Sequence, residues 1–289
     1  MHHRPFNEML QYYAMERFLF RLATSPYGKS FLLKGALMLR AVRAEMSRPT
    51  MDIDLLGKVS SEHGHLRQVV KECVAIKVAD GMIFDPKSID IQNIAENADY
   101  HGVRIRFNGF LGTARIRIQI DISFGDKVMP GPIWVNVPPI LDFGVPRLQA
   151  CPPETAIAEK LQTMVSLEAI NSRMKDFYDI YLMSQHLEFN GTVLVAAVLA
   201  TFTNRGTDIP INTPLALSPE FGEVPGKQEQ WNAFVKGLHR DNVPSLDEVC
   251  CWLSRFLMPV LKGASTRKPF DRTWLKGGPW RSKTPKGAR

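Results

Sequence analysis

Two aspartates separated by one residue are the strongest chemical signal in the sequence. Asp52 and Asp54 lie in the segment 51–56, which has a strand pattern and is stopped by Gly57. Side chains two apart on a strand point to the same face, with Cα atoms about 6.6 Å apart. Carboxylates placed in this way can share hard divalent cations, and two such cations can clamp the attacking and leaving oxygens of a phosphoryl transfer. Taken alone, the pair also fits an ordinary strand with a polar outer face.

A third carboxylate and a glycine turn extend this set. Asp121 lies on the polar face of the segment 115–123, where isoleucines alternate with polar residues. Upstream, Lys34, Gly35 and Ala36 connect a short apolar segment to a helical one, and a helix that begins at such a turn exposes backbone N–H groups that bind anions. The set therefore predicts a site for divalent metal and nucleotide phosphates. A solvated strand position and a plain strand-to-helix connection remain the alternatives for the acid and the glycine.

The elements that must position these residues follow from hydrophobic periodicity. In the first half of the chain the pattern predicts helices at residues 7–23, 37–42 and 61–75, and strands at 31–33, 51–56, 82–84, 89–95, 103–107 and 115–123. After Pro152 the period becomes helical, with helices predicted at 153–168, 174–186, 190–203, 228–239 and 245–262. We therefore predict an α+β fold with a small mixed β-sheet flanked by helices and a helical C-terminal half. The predicted domains are an α+β core at 1–145, a helical domain completing the active-site cleft at 146–262, and a basic tail at 263–289.

The basic tail carries most of the positive charge. The chain has a net charge of +7, and from Lys262 onward nine Lys or Arg residues stand against one acid, Asp271. A segment of this composition is typical of a solvated extension and, less often, of an RNA-contacting arm. Trp274 and Trp280 favour either docking onto the body of the protein or stacking on bases.

The remaining composition predicts a cytoplasmic protein without a membrane segment. The longest apolar run, 193–200, is far shorter than the roughly 20 residues that cross a bilayer, and the first residues do not resemble an export signal. The four cysteines have no C-x-x-C spacing and no zinc template, so they are interpreted as reduced thiols.

Five motifs in order resemble a known family. K-G-A at 34–36 and R-P-T-M-D-I-D-L at 48–55 resemble the opening of the nucleotidyltransferase superfamily that includes DNA polymerase beta. More closely, they resemble the AbiEii-type toxins of abortive-infection, type IV toxin–antitoxin systems, which pair a K-G-G turn with an R-x-T-x-D-I-D strand. The resemblance continues through Q-I-D-I at 119–122, E-K-L at 159–161 and K-D-x-x-D at 175–179, and T-F-T-N-R at 201–205 also resembles the family.

This resemblance implies roles for individual residues. It implies Mg²⁺ or Mn²⁺ bound by Asp52, Asp54 and Asp121, with an NTP as substrate. The implied nucleotide-binding residues are Lys34, Gly35, Ala36, Thr50 and Lys160, and the implied catalytic residues are the three aspartates with Lys160 and Asp176. Ala36 stands where the family has glycine or serine, so we expect the turn to hold phosphate through its backbone alone.

Two helical residues take their roles from the resemblance only. Lys160 is expected to deliver a cation to the triphosphate, and Asp176 to orient Lys160 or the substrate. A snorkelling surface lysine and the electrostatics of a helix start explain the same residues without function. Asp179 is expected to brace its helix against Arg173 or Lys175.

The resulting prediction is a metal-dependent nucleotidyltransferase, the toxin of a toxin–antitoxin system. It would transfer NMP to the 3′ end of tRNA, with a cognate antitoxin protein as partner. One alternative is NMP transfer to a protein hydroxyl. A second, from another class, is a domain that binds nucleotide or RNA without chemistry.

Overall fold

The segment that alternates isoleucine with polar residues forms a strand in the middle of a sheet. The strand Ala114–Phe124 buries its isoleucines and turns most of its polar residues to the other face, as a two-residue period requires. The computed structural model describes residues 5–97, 100–266 and 268–282. The chain forms two units, Met1–Asp126 with Pro132–Cys151 (unit 1) and Lys127–Gly131 with Pro152–Arg289 (unit 2).

Unit 1 is built on a seven-stranded mixed sheet. Its helices are α1 (Phe6–Thr24), α2 (Gly35–Val42) and α3 (His63–Ala75). Its strands are β1 (Phe31–Leu33), β2 (Ile53–Gly57), β3 (Met82–Asn97), β4 (Tyr100–Leu111), β5 (Ala114–Phe124), β6 (Ile133–Asn136) and β7 (Arg147–Ala150). Within the described residues they follow the order β3-β4-β5-β2-β1-β7-β6. The predicted α+β class and mixed sheet are confirmed.

The pairing of β2 with β5 matters most for function. These strands are parallel, with Asp54 directly opposite Asp121. On the other side β2 pairs antiparallel with β1, whose Leu33 lies opposite Leu55. Directly opposite side chains share a face of the sheet, so the two carboxylates project together although they are distant in sequence.

Two details of the sheet differ from the predicted strands. Strand β2 begins at Ile53, so Asp52 precedes the strand instead of lying within it. The strands predicted at 82–84 and 89–95 are one strand, β3, with an irregularity in its register between Asp85 and Asp90. Pro86 interrupts the apolar pattern there, and proline is tolerated at such irregularities.

Strands β6 and β7 were not predicted. Each has four residues and buries alternate ones, too short a pattern to stand out among the neighbouring prolines at 130, 132, 138, 139 and 146. They form because β7 adds to the edge of the sheet, with Ala150 opposite Leu33 of β1. Pairing with a distant strand, not local sequence, stabilises them.

Helix α1 is more buried than an amphipathic pattern predicts. Gln11 donates hydrogen bonds to the carbonyls of Met51 (3.2 Å) and Arg117 (3.0 Å). Arg21 donates to both carboxylate oxygens of Asp80, at 2.6 and 3.0 Å, and the two side chains are only 2% and 0% exposed. Buried charges of this kind are tolerated when they are paired.

Unit 2 is mainly helical, as predicted. Its helices are α4 (Pro153–Leu167), α5 (Met174–His186), α6 (Gly191–Asn204), α7 (Glu220–Glu223), α8 (Lys227–Lys236) and α9 (Leu246–Thr266). Its strands are β8 (Phe189–Asn190), β9 (Arg272–Trp274) and β10 (Trp280–Ser282), which form a small sheet in the order β10-β9-β8. No helix among the described residues is long and apolar enough to cross a membrane, and the four cysteines are free thiols.

The region predicted as a basic tail contains regular structure. Helix α9 continues to Thr266, and the chain then returns through β9 and β10. Trp274 is buried, with 2% of its surface exposed. The described part of this region therefore docks through its tryptophans, one of the two arrangements considered from the sequence, and it is not a solvated extension. Residues 283–289 lie outside the described residues.

Candidate active site

The structure brings the three predicted aspartates together. Asp54 and Asp121 lie opposite each other on parallel strands, and Asp52 precedes β2 by one residue. One carboxylate oxygen from each lies within 4.8 Å of the others. All three side chains are partly exposed, so an ion from solvent can reach them.

Thr50 orients the first of these carboxylates. Its side-chain hydroxyl donates a hydrogen bond to Oδ1 of Asp52, and Thr50 itself is 7% exposed. The family resemblance implies nucleotide binding for Thr50, and that role stays a prediction. The contact seen here positions Asp52, since a buried hydroxyl with one partner has little freedom to move.

Gly35 makes room for the second carboxylate. Its φ is +63°, and a Cβ built at this position would lie 1.8 Å from Oδ2 of Asp54. The backbone is held in register by the Lys34 N–H, which donates to the Asp54 carbonyl at 2.9 Å. The carboxylate therefore lies against the first turn of α2, where the helix dipole and the N–H groups of the first residues, including Ala36, favour negative charge. Only glycine combines this backbone conformation with this close approach.

Lys34 is held by an acid that the sequence analysis did not identify. Its Nζ lies 2.8 Å from Oδ2 of Asp126 and 3.2 Å from Oγ of Ser123. Ser123 in turn donates to Asp126 at 3.1 Å. Asp126 follows the end of β5, one residue after Gly125 with φ +80°. Its position in the sequence could have indicated a role, because it lies just beyond the strand that carries Asp121.

Arg104 on β4 neutralises the third carboxylate. It lies opposite Asp121 in the β4–β5 register, and its Nε and Nη2 donate to the two carboxylate oxygens at 2.8 and 2.6 Å. Hydrogen bonding to Asp121 and the charges of the three aspartates raise the pKa of Arg104, although partial burial opposes this. No local pattern points to Arg104, because only the register of β4 against β5 shows which residue faces the acid.

The donor set fits a divalent cation of the Mg²⁺ type. Carboxylate oxygens are the ligands that Mg²⁺ and Mn²⁺ prefer, and three of them converge here. The bidentate contact of Arg104 with Asp121 shows that the cluster already attracts positive charge from the protein itself. The remaining two aspartates offer further oxygen donors on the same side.

In unit 2, Lys160 and Asp176 form part of a buried ionic cluster. Lys160 Nζ on α4 contacts Asp176 and lies 2.9 Å from Oδ2 of Asp179, both on α5. Arg173 Nε donates to Asp176 at 2.7 Å. The side chains of the two aspartates are 1% and 0% exposed. Lys160 is therefore mostly buried and paired, not a snorkelling surface lysine.

This cluster sets the protonation of Asp176. Burial by itself would raise its pKa, but the charges and hydrogen bonds of Lys160 and Arg173 hold the pKa of that carboxyl well below its usual range. Asp176 contacts Lys160 directly, and the role that the resemblance implies for it stays a prediction. Asp179 contacts Lys160, which joins α5 to α4, and its expected contact with Arg173 or Lys175 stays a prediction.

Solved structures share this fold. One is a proposed nucleotidyltransferase from H. pylori, with a TM-score of 0.51 and 16% identity, covering 92% of this chain and 100% of that chain. Another is JHP933 from Helicobacter pylori, with a TM-score of 0.53 and 15% identity, covering 92% of this chain and 96% of that chain. No curated protein sequence matches the chain.

The mixed sheet with three converging aspartates and a glycine-started helix defines the class as a nucleotidyltransferase. A family model described as nucleotidyl transferase AbiEii toxin, type IV toxin–antitoxin system, matches residues 17–251. The chain therefore belongs to the AbiEii family of nucleotidyltransferase toxins. Membership implies an NTP substrate and a cognate antitoxin.

Proposed function

We propose that this protein transfers a nucleoside monophosphate from an NTP to an acceptor hydroxyl and releases pyrophosphate. The observation that carries the proposal is the convergence of the Asp52, Asp54 and Asp121 oxygens within 4.8 Å. We propose that these residues hold Mg²⁺ or Mn²⁺. When bound, the metal would neutralise charge on the triphosphate and lower the pKa of the acceptor hydroxyl.

The chain's own residues bind and orient the reactants. The backbone N–H groups of Gly35 and Ala36 at the start of α2 are suited to the phosphates. The acceptor oxygen bonds to the α-phosphorus while the bond from that phosphorus to the pyrophosphate oxygen breaks. The proton of the acceptor hydroxyl passes to a carboxylate oxygen of Asp121 or to solvent. Arg104 keeps Asp121 in a fixed orientation through two hydrogen bonds.

Lys34 and Lys160 are also proposed to contribute positive charge to nucleotide binding. In the structure Lys34 contacts Asp126, and Lys160 contacts Asp176 and Asp179. These ion pairs give each ammonium group a defined position. Their role toward the triphosphate remains a prediction.

We propose the 3′ end of tRNA as the acceptor. The resemblance to AbiEii-type toxins motivates this choice, and a cytoplasmic location follows from it. Transfer to a protein hydroxyl is the second candidate, because the same set of carboxylates can serve either acceptor.

The test is incubation of the protein with labelled NTPs, bulk tRNA and cell lysate. We expect label in tRNA, and Asp52→Ala should reduce transfer at least about 100-fold, because metal-assisted catalysis contributes several kcal/mol. Asp142→Ala, at an exposed aspartate of the same unit, is the matched control and should retain activity. Both variants should show the melting curve of the wild type.

The other outcomes separate the alternatives. Label in protein and not in tRNA would show that the acceptor is a protein hydroxyl. Nucleotide binding without metal-dependent pyrophosphate release, for every NTP and acceptor, would favour a binding module. Full transfer by Asp52→Ala would contradict the assignment of the metal ligands.

A further inference from the structure

The C-terminal hairpin, residues 268–282, lies beyond the segment that matches the family. The family model ends at residue 251, within α9. The hairpin consists of β9 and β10, which pair antiparallel with Trp280 opposite Trp274 and Arg281 opposite Thr273. Strand β9 also pairs with β8. It is thus an ordered addition to the region that the family model describes.

The aromatic residues of the hairpin are turned toward the helices of unit 2. Trp274 is 2% exposed and its Nε1 donates to the Ser184 carbonyl at 2.8 Å. Trp280 donates to the Phe256 carbonyl at 2.9 Å and stacks on the Phe256 ring, with centroids 5.8 Å apart. Since the tryptophans serve as anchors, they are not placed for stacking on bases. The hairpin has a fixed position on unit 2.

The exposed charged residues in and beside the hairpin are mostly basic, with Arg281 on the face opposite the tryptophans and Arg272 on the same face as Trp274. The exposed basic residues in and beside the hairpin are Arg255 and Lys262 on α9 and Lys268, Arg272, Lys276 and Arg281. The exposed acids there are Asp271, just before β9, and Glu188, just before β8. An excess of positive charge on an anchored hairpin favours a polyanion.

We propose that this basic hairpin surface binds the phosphate backbone of an RNA. This proposal rests on the proposed function, because it takes the acceptor RNA as the ligand. It adds a region of the protein, separate from the carboxylate cluster, that contacts the same RNA. An acidic protein is less suited, because protein interfaces need an apolar centre and the large apolar residues of the hairpin are turned inward. Backbone contacts position an RNA without reading its sequence, so the surface should bind tRNA irrespective of anticodon.

The test uses the full chain with the triple substitution Arg272→Gln, Lys276→Gln and Arg281→Gln. Binding of unmodified tRNA is measured by fluorescence anisotropy without NTP, over a series of salt concentrations. The logarithm of the binding constant falls linearly with the logarithm of the salt concentration, and each lost phosphate contact makes this slope less steep by about 0.7–0.9. For the triple variant we expect a slope less steep by about 2 and a Kd for tRNA raised about tenfold. The control, Lys58→Gln with Lys71→Gln and Lys77→Gln, removes three exposed charges from unit 1 and should leave both quantities unchanged.

Further measurements test the hairpin proposal separately from the proposed catalytic function. If transfer to tRNA occurs, the triple variant should raise KM for tRNA while kcat and KM for NTP stay as in the wild type. Unchanged tRNA affinity and slope in a variant with the wild-type melting temperature would overturn the hairpin proposal and leave the proposed function intact. Poly-glutamate could also be tested as a competitor for tRNA binding. If it competes as well as RNA at equal concentration of negative charge, the hairpin proposal would be overturned. Loss of tRNA affinity in a preparation without transferase activity would support the hairpin proposal and count against the proposed function.

Discussion

At the scale of single residues, Asp54 depends on the absence of a side chain at Gly35. The carboxylate occupies the space of a Cβ at Gly35, 1.8 Å from its Oδ2. The glycine thus has two functions: it allows the positive φ at the start of α2 and it admits the carboxylate to the helix N-terminus. A family motif that begins with a glycine turn and continues with D-x-D is explained by this contact.

Gly35→Ala should therefore damage the site more than the fold. The positive φ costs an alanine about 1–2 kcal/mol, and the added methyl group forces Asp54 away from its two neighbouring aspartates. We expect loss of NMP transfer together with weaker stabilisation by Mg²⁺ in thermal unfolding. Gly112→Ala is the control, since Gly112 has φ +58° and no atom within 4 Å of a Cβ. It should show the same loss of stability with normal activity; equal activity in the two variants would contradict the steric explanation.

Arg104 shows how a cluster of acids remains stable before it binds a cation. Three carboxylates in one place repel each other, and the guanidinium satisfies both oxygens of Asp121. Opposite charges directly across an antiparallel pair stabilise a sheet. The same residue therefore supports the β4–β5 pairing and fixes the orientation of a proposed metal ligand.

At the scale of elements, α4 and α5 are joined by buried charges. Lys160 on α4 meets two aspartates on α5, and Arg173 pairs with Asp176 at the start of that helix. Breaking one partner of a buried ion pair is far more costly than breaking a surface pair, about 3–5 kcal/mol. The K-D-x-x-D motif thus has a structural role in addition to the expected role of Asp176 in orienting Lys160 or the substrate.

Asp176→Asn should destabilise the protein by about 3 kcal/mol at pH 7. Because the folded-state pKa of Asp176 is lowered, its contribution is fully present above the unfolded pKa near 3.9 and is lost as pH falls toward the folded pKa. The difference in the free energy of unfolding between wild type and variant, measured with urea, should therefore be smaller at pH 3 than at pH 7. Asp208→Asn, at an exposed position of unit 2, should match the wild type at both pH values. A gap that is independent of pH would contradict the ion-pair explanation.

At the scale of the whole molecule, the C-terminal region is part of the fold. Its aromatic residues meet those of α9, including Phe256 and Trp274 with centroids 4.7 Å apart. The described residues from 262 onward carry five Lys or Arg against Asp271, a net charge of +4 on an ordered surface. An anchored surface can orient an anionic partner, whereas a flexible tail only raises its local concentration.

Trp274→Ala tests this anchoring. Removing a buried tryptophan leaves a large cavity, and we expect a loss of about 3–5 kcal/mol. Trp134→Ala serves as the control, because Trp134 is 50% exposed and its loss should change stability by less than about 1 kcal/mol. Equal urea midpoints for the two variants would show that the hairpin does not contribute to the folded body.

Much of the secondary structure could be predicted from the sequence alone. The helices at 153–168 and 174–186 were placed within a residue of α4 (Pro153–Leu167) and α5 (Met174–His186), because proline at the start and a regular apolar period are local signals. The strand phase of Asp121 was equally clear, since the alternation continues over the whole of β5. Strands β6 and β7 lacked such a signal and depend on a distant partner.

The sequence by itself determined which residues could do chemistry: the D-x-D pair, the acid on an alternating strand and the glycine before a helix. These are properties of residue type and spacing. Only the tertiary structure decided that Arg104 neutralises Asp121, that Lys34 meets Asp126, and that the tryptophans of the basic tail are buried. Those contacts join residues far apart in the chain, and strand register and helix packing, which no local pattern encodes, select the partners.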